Sequence, residues 1–337
     1  MIKANILLCG KSGVGKTSLI QALTAYGTVP DEAIGHGKAT TTGFDVYETE
    51  AVNYIDSEGM EIGETVEEFA SNIMDEVISR LSSEKVENLI HNIWYCVDGS
   101  GARVQSADAK LISRFSDKVL LIVTKADSMR KEQIKPFMAS VQKLLPRDRI
   151  VVVSSIDESG LQQLLAKSKE ICERAIQSAD QEIEGFRSRW DEYFRAKLEH
   201  WEARNDEDSN ELINWAAGRA AAIALIPLPL ADVGPLMANE AYMIYKLGAV
   251  YGYAVDESIF TMLAGVAGGS IAGKLAASFL PFLKVPIAAG ITYAVGKAAK
   301  AYFESDMTLS AESIKEKFLE AEKEAKDVDW KEQSVEE

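Results

Sequence analysis

The run Gly10-Lys11-Ser12-Gly13-Val14-Gly15-Lys16-Thr17 constrains this chain more than any other feature. It matches GxxxxGK[ST] in full and lies between an apolar, strand-like segment at 2–9 and a stretch of helical period at 17–26. A strand that turns through glycines into a helix aims backbone N–H groups inward, and the helix N-terminus favours negative charge. Such a turn cradles phosphate oxygens. The candidate contacts are Lys11, Ser12, Gly13, Val14, Gly15, Lys16, Thr17 and Ser18. Lys16 is placed to neutralise β- and γ-phosphates, and the Thr17 hydroxyl to bind Mg²⁺.

Further apolar runs recur at 51–55, 89–97, 118–124 and 149–154, separated by stretches of helical period at 65–81 and 130–145. Strands alternating with helices predict an α/β P-loop domain over 1–165, with a mainly parallel sheet covered on both faces. The pattern then changes. Residues 166–210 are charged and helix-prone, and Ala203–Glu211 is acidic enough to suggest a linker or helix break. Residues 211–305 shift to Ala, Gly, Leu and Ile, and 306–337 form a charged tail with an amphipathic helix expected at 311–326. An all-α C-terminal domain follows from that composition.

Three later segments, taken in order with the first, resemble the GTPase superclass. Asp56-Ser57-Glu58-Gly59 fits DxxG, Thr124-Lys125-Ala126-Asp127 fits [NT]KxD, and Ser154-Ser155 resembles the S-A loop. Each closes a strand-like run, where ligands gather in open α/β sheets. The resemblance implies that Asp56 holds a Mg²⁺-bound water and that the Gly59 N–H senses the γ-phosphate. It implies that Asp127 pairs with guanine N1 and 2-amino donors, beside Thr124 and Lys125, and that the Ser154-Ser155 loop closes over guanine O6. Adenine lacks those two donors, so a carboxylate there selects guanine. Within Gly37–Gly43, Thr40, Thr41 and Thr42 are candidates for the threonine that closes over γ-phosphate and metal; comparison with Era-like GTPases favours Thr41, with Thr42 next. The implied catalytic residues are Lys16 and Thr41, the metal set is Thr17, Thr41 and Asp56, and the cofactors are GTP/GDP and Mg²⁺.

Two departures bear on rate. Thr124 replaces the usual Asn and is expected to weaken one supporting hydrogen bond. Met60 follows DxxG where a water-orienting Gln would stand, so intrinsic GTP hydrolysis is expected to be slow. His36 and Arg103 are candidate helpers, Arg103 across a dimer, though each reads more simply as a solvated loop residue. Gly13 occupies the position where Asn marks potassium-activated relatives, so no such activation is expected.

Within the Gly/Ala-rich region, Gly265, Gly269 and Gly273 form a small-residue stripe that suits close helix approach. No uncharged apolar run reaches about 18 residues, which leaves a packed soluble bundle and a membrane-docking hairpin as competing readings. The segment from AAIALIPLPLADVGPLMANEAY to ITYAVGKAAKAYF resembles the bacterial YcjF-type domain of unknown function, which occurs fused to Era-like GTPases. That resemblance implies membrane proximity only loosely.

The net charge of −16, acidic in both halves, opposes binding to nucleic-acid backbones and hence a ribosome-assembly role. Three scattered cysteines and no secretory leader at Met1–Asn5 lead to the expectation of a cytoplasmic protein, with peripheral attachment to the inner face of the cell membrane as a variant. The partners expected are guanine nucleotide, and as candidates a membrane surface, a membrane protein or a second copy. A GTP-timed membrane-remodelling protein and a binder without turnover stand as alternatives to a regulatory GTPase.

Overall fold

A computed structural model describes residues 2–24, 35–37, 44–57, 71, 75, 79–80, 88–100, 109, 112–113, 116–129, 137, 139–179, 183–225, 233–256, 258–263, 265, 281–328 and 330. The chain divides into two compact units, Met1–Glu202 and Ala203–Glu337.

The first unit is built on a seven-stranded sheet of order β2-β3-β4-β1-β5-β6-β7. Its strands are β1 Ala4–Cys9, β2 Gly35–Gly37, β3 Phe44–Glu48, β4 Val52–Ser57, β5 Asn92–Asp98, β6 Val119–Thr124 and β7 Ile150–Val152. The pairs β4-β1, β1-β5, β5-β6 and β6-β7 are parallel. β2 and β3 add an antiparallel edge that the periodicity of the sequence did not reveal.

β1, β4, β5 and β6 are buried along almost their whole length, as continuous apolar runs at the centre of a covered sheet must be. One set of alternate residues, Ile6, Leu8, Tyr54, Trp94, Cys96, Leu120 and Ile122, joins a core completed by three helices. These are α1 Lys16–Thr24, α2 Leu161–Ser178 and the first half of α3 Glu184–Ala224. The other set, including Leu7, Ile93, Leu121 and Val123, is buried as well. α2 is pinned to β5 where Trp94 Nε1 donates to Ser168 Oγ at 2.9 Å, and to α3 by a two-pronged Arg187–Glu173 pair at 2.8 Å.

The second unit contains α3 from residue 203 onward, α4 Val233–Val250, α5 Pro281–Glu304 and α6 Ala311–Glu324, the last capped by Ser310. The helix at 311–326 is therefore present at nearly its expected bounds. The break expected at Ala203–Glu211 is absent: α3 is continuous through it. Pairing explains this. Asp206 and Asn210 accept from Lys300 and Lys297 of α5, and the buried Ser209 hydroxyl meets Tyr251. Acidic residues that would favour a loop when solvated become the partners of lysines on a neighbouring helix.

Close helix approach is seen at Gly296, where a Cβ would lie 2.7 Å from Ile213 Cγ1 on α3; at Gly248 a Cβ would lie 2.3 Å from Val255 Cγ2 in the turn that follows α4. Among the described residues nothing comes within 4 Å of a Cβ placed on Gly265, while Gly269 and Gly273 lie outside them. Among the described residues no helix is long and apolar enough to cross a membrane.

Two outcomes test this packing. Cys9, Cys96 and Cys172 are free and buried, and burial pushes the Cys96 thiol up to about 12, with Lys16 acting weakly the other way. A thiol reagent at pH near 8 should label none of them in the folded protein and all of them in denaturant. Gly10→Ala should cost about 3 kcal/mol in urea unfolding, because φ is +139° and a Cβ would lie 2.3 Å from the Cys96 carbonyl oxygen.

Candidate functional site

Parallel pairing brings the C-terminal ends of four strands to one sheet edge. Leu8 stands opposite Asp56, and Asp98 opposite Thr124. The turn after β1 follows from three positive-φ glycines, Gly10 at 139°, Gly13 at 76° and Gly15 at 99°. Side-chain-bearing residues rarely hold such angles. α1 then begins at Lys16, with Thr17 and Ser18 exposed in its first turn. The buried Lys16 ammonium rests 3.2 Å from the Gly10 carbonyl and 3.5 Å from that of Lys11. Neutral carbonyls offset its charge only in part, so the turn suits an anion.

Thr17 Oγ1 donates to Asp56 Oδ2 at 2.9 Å. Burial raises the Asp56 carboxyl above its usual range, against the lowering effects of Lys16 and the Thr17 hydroxyl; Asp45 adds to the rise. Its second oxygen, Oδ1, is buried without a hydrogen-bond partner. A hydroxyl beside a half-satisfied buried carboxylate fits a hydrated divalent cation shared with bound phosphates, the usual way Mg²⁺ is held. Among the described residues no group of three or more His, Cys, Asp or Glu is placed to hold a metal alone.

A second set of bonds fastens the loop after β6 to this turn. Thr124 Oγ1 lies 2.6 Å from the Val14 carbonyl and 3.0 Å from that of Val97. The threonine expected to weaken the support thus reaches the phosphate turn itself. Lys125, in the left-handed region at φ 56°, donates to the Gly13 carbonyl at 2.8 Å and to Asp98 Oδ2 at 2.7 Å. Burial acts to raise the Asp98 carboxyl, but the hydrogen bonds from Lys125 and Ser100 outweigh it and hold it below the usual range. Sequence reasoning missed Asp98; its signal was the DGSG turn that closes an apolar strand.

Asp127 is oriented from both sides. Ser154 Oγ donates to its Oδ1 at 2.9 Å, and Ser128 Oγ to its Oδ2 at 2.8 Å. Ser154 Oγ also accepts from the amides of Ile156 and Asp157, while Ser154 N donates to the Ser159 carbonyl. Among the described residues, the Ser155 amide, between these tied neighbours, takes no hydrogen bond. A fixed carboxylate beside a free N–H offers one acceptor and one donor to a planar ring.

Of the expected site residues, the structure brings together Lys11 to Ser18, Asp56, Thr124, Lys125, Asp127, Ser154 and Ser155 along one edge. Thr41, Thr42, Gly59, Met60 and Arg103 lie outside the described residues, and His36 is described only as part of β2.

No family model matches the chain. A tRNA modification GTPase, MnmE of Syntrophomonas wolfei, is 25% identical over 183 residues, covering 53% of this chain and 37% of that protein. Magnetosome membrane protein 22 of Magnetospirillum gryphiswaldense is 30% identical over 115 residues, covering 28% of this chain and 59% of that protein. The chain thus spans less than two thirds of the length of either relative. Among solved structures, a probable GTP-binding protein engB is 19% identical with a TM-score of 0.36, over 51% of this chain and 99% of that one. Era of Aquifex aeolicus bound to GDP·AlF4⁻ is 20% identical with a TM-score of 0.32, over 49% of this chain and 56% of that one.

Thr124→Val should lower unfolding stability by about 1–2 kcal/mol, since it strips a hydroxyl from two carbonyls. An unchanged urea midpoint would show that the hydroxyl does not hold the turn. Because folding lowers the Asp98 carboxyl, its contribution is present above the unfolded value and lost as pH falls through the folded one. Asp98→Asn should therefore flatten the acid limb of the stability profile and leave no such step.

Proposed function

We propose that this chain binds GTP and hydrolyses it slowly with Mg²⁺. What carries the reading is the Asp127 carboxylate, fixed by Ser128 and Ser154 beside the free Ser155 amide and tied through Lys125 to the Gly10–Thr17 turn. Guanine presents two donors at N1 and the 2-amino group next to an acceptor at O6, complementary to that carboxylate and amide. Adenine would set its 6-amino donor against the amide and offer the carboxylate nothing at N1. The 25% identity to a protein named as a GTPase is consistent with this choice of base.

In this reading residues 1–165 form the nucleotide module, and amides of the turn from Ser12 to Ser18 hold the phosphates with Lys16. Thr17 and Asp56 would hold Mg²⁺, which when bound would neutralise charge on the β- and γ-phosphates. Lys16 stabilises negative charge on the transferred group. Thr41 and Gly59, expected to act with them, lie outside the described residues. Met60 offers no hydrogen bond to an attacking water, hence the slow rate. The helical unit, similar to YcjF-type domains, is read as the element that responds to nucleotide state, either within a bundle or against a membrane surface. Likeness to a protein named for the magnetosome membrane favours testing the second.

Asp127→Asn should weaken GTP binding about a hundredfold or more and gain binding of xanthosine triphosphate, whose ring pairs with an amide side chain. Retention of GTP with no gain for xanthine would remove Asp127 from the base site. Hydrolysis should fall below detection in Lys16→Ala, and a Lys16→Ala variant as active as wild type would remove that lysine from the reaction.

A further inference from the structure

The loop that leads away from Ser154 does not float over the sheet edge. Glu158, four residues on, holds a left-handed backbone at φ 58°, which a residue other than Gly, Asn or Asp seldom adopts without a restraint. The restraint is on α3: Trp201 Nε1 donates to Glu158 Oε2 at 3.1 Å. The indole is 1% exposed and belongs to the core of the sheet unit, so it cannot follow the loop if the loop moves. His200 Nε2 lies 3.9 Å from the same carboxylate oxygen, whose side chain is 10% exposed.

Lys197, one turn earlier on α3, is buried with no hydrogen-bond partner for its ammonium. Burial lowers it to about 8, and the Glu158 carboxylate is the charge that acts to raise it. Glu158 therefore faces the Lys197 ammonium, the His200 imidazole and the Trp201 indole N–H on a single helix. The chain of contacts runs without a gap from the base-reading carboxylate to that helix. Asp127 accepts from Ser154, Ser154 Oγ collects the amides of Ile156 and Asp157, Asp157 Oδ1 accepts from Ser159, and Glu158 is seized by Trp201.

We infer that Glu158 and Trp201 are positioning residues for the base pocket: their hydrogen bond anchors the 154–159 loop to α3 and so fixes the Ser155 amide that reads the ring oxygen of guanine. The inference rests on the GTP reading above. It places the control of O6 recognition, and hence of nucleotide release, on a helix that contributes no atom to the nucleotide site.

The test is calorimetric binding of GTP and of 2-aminopurine ribonucleoside triphosphate, which lacks the oxygen at position 6 and with it the N1 proton, to the full chain and its variants. Trp201→Phe removes the donor and keeps an aromatic, though smaller, ring in the core. It should weaken GTP about five- to tenfold and change the analogue less than about twofold. Glu158→Asn keeps a side chain that tolerates the left-handed backbone but is too short to reach the indole, and it should behave as Trp201→Phe does. Glu158→Gln retains an acceptor oxygen and should bind GTP within about twofold of wild type. Equal losses for both nucleotides, or none, in Trp201→Phe and Glu158→Asn would overturn the inference. A wild-type chain that binds GTP no better than the analogue would instead defeat the GTP reading beneath it.

Discussion

Lys125 stretches from the Gly13 carbonyl to the Asp98 carboxylate, and the rest of the site depends on that bridge. The phosphate turn belongs to β1, Asp98 ends β5, and Lys125 follows β6, so one ammonium joins three adjacent strand ends. Its left-handed backbone sends the chain directly into the 3₁₀ turn that carries Asp127. The Thr124 hydroxyl repeats the same tie one residue earlier, on the Val14 carbonyl. The glycine turn and the Asp127 carboxylate are thereby tied to each other across an open sheet edge. In the proposed reading a nucleotide spans the two, and pre-organisation of this kind lets binding energy go to recognition rather than to ordering loops.

The helical unit follows a different rule. Its α3 and α5 meet through alanines, Ala217, Ala220, Ala221 and Ala224 against Ala288 and Ala289, which bring backbones close but bury little apolar area per residue. Polar pairs supply the register. Lys300 with Asp206, Asn210 with Lys297, and Asn239 Nδ2 to the Ala216 carbonyl at 2.8 Å each fit only one alignment of the helices. Glu240, buried and bonded by Thr292, is raised to about 7 by desolvation. Such groups are weak sources of net stability and are better explained as specifying which helix faces meet.

The doubly covered sheet was legible because its central strands are unbroken apolar runs, and the glycine turn because GKSGVGKT sets three glycines, all at positive φ, between a strand and a helix. The antiparallel edge strands escaped notice: Phe44–Glu48 is five residues long with only Phe44 buried, and Gly35–Gly37 has almost no side chains to pattern. Ala203–Glu211 misled because its charges look solvated until the lysines of a helix nearly a hundred residues later come into view. The same limit hid Asp98 and the Glu158–Trp201 bond, whose partners lie 27 and 43 residues away in sequence. Motifs reveal local turns, whereas long-range polar partners require the fold.

In the proposed reading a carboxylate and an amide, both tied to the glycine turn, select guanine. The most direct test is competitive calorimetry of the wild-type chain with GDP and ADP in the presence of Mg²⁺. Since both share the diphosphate and ribose, any difference reports the ring alone. The account predicts GDP bound at least about a hundredfold more tightly than ADP, because adenine leaves the Asp127 carboxylate unpaired. Equal affinities, or a preference for ADP, would contradict it.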